Sequence, residues 1–120
     1  MSDEKERADA ALAKIKADAE DAARRLAEYV ESLGIVFNAP EAVTQRALEQ
    51  LMKAVRKHGG SEEDITNFER NGAQARAACD LGWIDGLKVD DVDTTHPRVV
   101  TWIAQQTNDI IVAAWQLPGE

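Results

Sequence analysis

Few residues in this chain could do chemistry. They are two histidines, His58 and His96, one cysteine, Cys79, and the acidic run Asp80, Asp85, Asp90, Asp91 and Asp93. Calcium takes about six to eight oxygens, and an EF-hand loop supplies them at alternate positions around a central glycine, closing on a glutamate. Asp85-Gly86 is followed by no such pattern, so the aspartates read as a solvated loop with helix caps and no metal. Neither histidine has a second histidine or a carboxylate at zinc-ligand spacing. His96 is three residues from Asp93, close enough for a local hydrogen bond. A nucleophilic cysteine needs a neighbouring cation or a helix N-terminus to form thiolate. Cys79 falls near the end of a helical segment among small apolar residues, which suits packing. Gly59-Gly60 lacks the strand and lysine of a phosphate loop. These residues indicate neither an enzyme nor a bound cofactor.

The tryptophans Trp83, Trp102 and Trp115 leave three options: core anchors, a protein interface, or the wall of a small-ligand pocket. Trp102 stands one turn into the most apolar segment, residues 97–117, and is expected to be buried. Val99, Ile103, Ile110, Ala114 and Leu117 repeat there at helical spacing, and Trp102 and Ile111 widen the stripe. A helix apolar over so much of its circumference needs protein on several sides. Gln105, Gln106, Asn108 and Asp109 give it one wet face.

Three further helices are expected ahead of it. Residues 3–33 contain no glycine or proline and are rich in alanine, glutamate, lysine and arginine. Ala8, Leu12, Ile15, Ala19, Ala22, Leu26, Tyr29 and Leu33 recur at alternating steps of four and three, a heptad seam over about three and a half repeats. The helix would be about 45 Å long. Its alanines allow close approach of a partner but bury little area. The seam suits either packing on the chain's own body or a coiled coil between subunits. The interface candidates are therefore Leu12, Ile15, Ala19, Ala22 and Leu26, together with the three tryptophans.

Gly34 ends this helix, and Ile35-Val36-Phe37 reads as an apolar link rather than a strand. Asn38 as cap and Pro40 in the first turn start a second helix running to Lys57, which Gly59-Gly60 terminates. Ser61-Glu62-Glu63-Asp64 resembles a capping box and opens a third helix, weak at Asn71-Gly72 and ending near Gly82. Val89 to Asp93 suits one short helical turn, and Thr94 or Thr95 caps the final helix. The expected fold is all-α with four main helices, divided into a long N-terminal helix and link (1–37) and a compact helical domain (38–120). The expected core is Leu26, Val30, Leu48, Leu51, Val55, Ile65, Phe68, Ile84, Leu87, Val99, Ile103 and Ile110. No internal repeat stands out.

Composition bounds the function classes. The 120 residues suffice for one domain. Hydrophobic residues at 44% and charged residues at 30% describe a globular chain. A net charge of −8 and a pI of about 4.7 argue against nucleic acid or an anionic membrane as direct partner. The lone cysteine excludes an intrachain disulfide, and the charged start predicts no secretory signal and no transmembrane segment. A cytoplasmic location is expected.

Residues 61–120 resemble small helical proteins encoded in bacteriophage tail modules, of the tail-assembly-chaperone type. The resemblance rests on Ser61-Glu62-Glu63-Asp64-Ile65, on Leu81-Gly82-Trp83-Ile84-Asp85-Gly86-Leu87, and on His96-Pro97-Arg98-Val99-Val100-Thr101-Trp102-Ile103. It covers about half the chain and excludes the long first helix. It implies binding of another phage protein during assembly, an association with the virion as an alternative location, and no catalytic set. The expectation is a non-enzymatic protein–protein interaction or assembly protein, able to self-associate through its first helix. The alternative is an acidic inhibitor that mimics nucleic acid and blocks a nucleic-acid-binding protein. A mimic needs ordered rows of carboxylates, whereas Lys14, Lys16, Arg24 and Arg25 are interspersed among the acids.

Overall fold

The computed structural model describes residues 2–59 and 67–117. The chain is helical, with one very small sheet among the described residues. Its elements are α1 (Ser2–Ser32), β1 (Val36–Phe37), α2 (Gln45–Lys57), α3 (Asn67–Asp80), β2 (Ile84–Asp85), a 3₁₀ turn (Val89–Thr94) and α4 (Pro97–Ala113). The expected capping box at Ser61–Asp64, the core candidate Ile65, the side chain of Phe68 and the terminal Pro118-Gly119 lie outside the described residues.

α3 is the middle layer, packing on α4 along one side and on α2 along another. Ala73, Ala75, Ala77 and Ala78 are all fully buried, because only small side chains let two neighbours approach one helix so closely. The main cluster joins Val30 and Ile35 to Ala75, Ala78, Ile84, Val92, Val99 and Ile103. A second joins Leu51, Ala54 and Val55 of α2 to Ala77, with Ile111 of α4 against it. Trp83 packs against both. The end of α1 and the link after it thus belong to the same core as α3 and α4.

Most of the expected core is placed as read, but Leu26, Leu48 and Leu87 are only half-buried. Trp102 is half-buried against the main cluster rather than enclosed. Thr107, a polar residue outside the expected core, is fully buried. Its hydroxyl donates to the Ile103 carbonyl one turn back (2.9 Å), which satisfies it inside the helix.

Several local expectations are corrected. Val36-Phe37 is a strand: it pairs antiparallel with β2, Val36 opposite Asp85 and Phe37 opposite Ile84. Asn38 does not cap α2, because the pairing captures it. Its backbone N–H donates to Trp83 O and its Nδ2 to Asp85 Oδ2, each at 2.6 Å. α2 starts later, where Thr44 Oγ1 accepts from Ala47 N. α3 runs unbroken through Gly72. Thr94 and Thr95 both donate to the Asp91 carbonyl, closing the 3₁₀ turn, and the cap of α4 is His96, whose Nδ1 accepts from Arg98 N at 3.1 Å. Asp93 pairs with Arg76 instead of His96.

A local repeat is visible in the structure. α1 ends at Leu33-Gly34-Ile35 and α3 at Leu81-Gly82-Trp83, each followed by a two-residue strand. In each the glycine has positive φ (76° and 77°), and its N–H and the next residue's N–H return to the last turn. That is the Schellman closure, with Ile35 bonding back to Val30 and Trp83 to Ala78. The two helix–strand–helix units pair through their antiparallel strands.

Candidate interaction surface

α1 has 31 residues, about 46 Å of helix. Only its last turns meet the body: Val30 is buried and Leu26 half-buried, and α1 packs chiefly on α4. Every residue from 3 to 20 is exposed. The radius of gyration is 17.5 Å, against about 14 Å for a compact chain of this length, so the helix projects. The face that docks through Val30 and Leu26 continues outward as Ala22, Ala19, Ile15 and Leu12 with nothing over it. Leu12 and Ile15 are each 65% exposed. Leaving two branched aliphatics in water costs what their burial would otherwise contribute, about 1.5–3 kcal/mol each. Asp21 holds Arg24 and, at 3.0 Å, Arg25 within the helix; such exposed pairs contribute little.

Where the seam reaches the body, Ala22, Leu26 and Tyr29 of α1 face His96 and Arg98 at the start of α4 across a notch of about 410 Å³, with Arg25 at its edge. Ala22, Leu26 and Tyr29 give its lining an apolar part, and Arg25 and Arg98 add two guanidinium groups, in a chain of net charge −8. Sequence reasoning found the seam but not this notch, because α1 and α4 are far apart in the chain.

The five α1 candidates are therefore brought together on one face. The tryptophans are not. Trp83 and Trp102 pack against the core and can offer a partner only an edge. Trp115 is 81% exposed, but beyond Ile111, at the α2 end of α4, away from the seam.

Three of the chemically capable residues, His58, Asp80 and Asp93, belong to a structural tie instead. Asp80 of α3 accepts from Lys57 Nζ and meets His58 Nε2, both at 3.2 Å. Arg76 donates to the His58 carbonyl (3.1 Å) and to Asp93 Oδ1 (2.9 Å), which fastens the end of α2 and the 3₁₀ turn to α3. A cleft of about 640 Å³ lies beside Arg76 and Asp93. Burial pushes the Cys79 thiol up to about 11, so it is protonated at neutral pH and poorly nucleophilic. Among the described residues no group of three His, Cys, Asp or Glu is placed to hold a metal, and no helix is long and apolar enough to cross a membrane.

Lys57, and then His58, hold the Asp80 carboxyl below the usual carboxylate range. A carboxylate depressed on folding stabilises the fold above its unfolded pKa and loses that contribution as pH falls through the folded value. Asp80→Asn should lower the melting temperature slightly at pH 7, with the gap to the wild type closing below about pH 4. A gap that stays constant from neutral to acid pH would show that the tie is not electrostatic.

No family model, curated protein or solved structure matches this chain.

Proposed function

We propose that this is a non-enzymatic interaction protein that docks onto another polypeptide through the outward face of α1. The observation that carries the reading is the pair Leu12 and Ile15, each two-thirds exposed on a projecting helix whose same face is already used for packing further along. The compact helical body anchors the arm, and the β1–β2 pairing fixes where it leaves. The resemblance of residues 61–120 to phage tail-module proteins suggests assembly of a phage or prophage tail as the setting, in the cytoplasm or on the virion. The nucleic-acid-mimic reading has less support, since Asp21, Asp80 and Asp93 are all paired with bases.

The test is photo-crosslinking in the native extract, with the reactive residue at Leu12 or Ile15 and a control at Ala17 on the opposite side of the helix. The reading expects a discrete crosslinked polypeptide from Leu12 and Ile15 and not from Ala17. Equal, diffuse labelling from all three positions would overturn it.

A further inference from the structure

Between Leu12 and Tyr29 the α1 seam has a size pattern that reads alike from either end: Leu12 and Ile15, then Ala19 and Ala22, then Leu26 and Tyr29. Resting on the reading of this face as a docking surface, we infer that its partner is a second copy of the chain, bound antiparallel. Leu12 of one copy lies against Tyr29 of the other, Ile15 against Leu26, and Ala19 against Ala22 at the two-fold axis. A two-fold contact uses the same patch twice, so both ends are satisfied together.

Three observations favour antiparallel over parallel. The first is the notch. An antiparallel partner delivers its exposed Leu12 and Ile15 to Leu26 and Tyr29, which line the notch. A parallel partner would set Leu12 against Leu12 and leave the notch open. The second is the flank of the seam. Asp18 and Arg25 occupy the heptad position beside the Tyr29–Ala22 edge. In an antiparallel pair this flank faces itself, which brings Asp18 to Arg25 of the other copy, twice. In a parallel pair it faces the opposite flank, where Ala23 and Val30 stand, and Val30 is buried in its own core. Arg25 is free to make the exchange, since its side chain is 76% exposed and its tie to Asp21 is a weak surface pair. The third is the acidic start of α1. A parallel pair sets Glu4 beside Asp9 of the other copy, twice, whereas an antiparallel pair carries both toward the end of the partner that holds His96 and Arg98.

Area sets the strength. A standard stable interface engages about 20–30 residues a side. Six seam residues and their flanks fall short of that, so the dimer should be weak and form at micromolar concentration.

The experiment measures particle mass by sedimentation equilibrium on the full chain, for the wild type, Asp18→Arg, Arg25→Asp and an equimolar mixture of the two variants. Each variant alone places two like-charge pairs across the axis and should weaken the dimer at least about tenfold. In the mixture one copy carries two cations on this flank and the other two anions. Opposite charges then meet again at both contacts, and a heterodimer should form within about threefold of the wild-type affinity. Both variants stay net negative, so bulk attraction does not drive the mixture together. Circular dichroism checks that each remains helical, as exposed positions allow. A wild-type monomer across the micromolar range overturns the dimer, and crosslinking of a different protein at Leu12 would then leave the docking reading standing. A dimer indifferent to both reversals, or a mixture that stays monomeric, overturns the antiparallel register.

Discussion

Ile103→Ala should destabilise the fold by about 2–5 kcal/mol, among the largest effects of any single truncation. Ile103 is fully buried in α4, in one cluster with Val30 of α1, Ala75 and Ala78 of α3, and Val99 one turn earlier. The buried α3 members of that cluster are alanines, so they have no side-chain length with which to fill the space. A cavity that cannot collapse is at the costly end of the range. For a chain of this size the melting temperature should fall by roughly 10 °C or more. Trp115→Ala is the matched control just past the end of the same helix, since Trp115 is 81% exposed; it should move stability by no more than about 0.5 kcal/mol. Equal denaturation midpoints for the two variants would show that α4 is not the centre of the core.

Ile103 was legible in the sequence because a long apolar stripe at helical spacing has few explanations. The same holds for the extent of α1 and for the glycine stops at Gly34, Gly59 and Gly82, which are local signals. What failed was non-local. A two-residue strand has no period to read, and the partner of Val36 is Asp85, far along the chain. Missing that pairing also misplaced the start of α2, because Asn38 is a good capping residue only when its side chain is not already bonded to Asp85. The tie among Arg76, His58, Asp80 and Asp93 spans three elements and is likewise invisible to spacing. On the interaction surface, the seam from Leu12 to Leu26 could be read directly, but whether it faced the body could not. The same periodicity serves an intramolecular contact at Val30 and an open face at Leu12.

The pairing that the sequence concealed is also where the second large effect is expected. Gly86 follows β2 with φ of 87°, a conformation that costs an L-residue about 1–2 kcal/mol. A Cβ placed there would also collide with the Gly34 carbonyl oxygen and lie 2.8 Å from its carbon. Both are backbone atoms in the closing turn of α1, so no side chain can swing aside. Gly82 has nearly the same φ, 77°, but nothing within 4 Å of its Cβ position. The two glycines therefore separate strain from collision. Gly82→Ala should cost about 1–2 kcal/mol, and Gly86→Ala about 3–5 kcal/mol, the strain and the overpacking together. The excess should appear first as a loss of contact between the link after α1 and the loop after β2. Hydrogen exchange at the amides of Asn38 and Ile35, which bond to Trp83 and Val30, should quicken in Gly86→Ala before the rest of the body exchanges. If Gly86→Ala and Gly82→Ala unfold at the same denaturant concentration, the close approach of Gly86 to Gly34 does not hold α1 to the body.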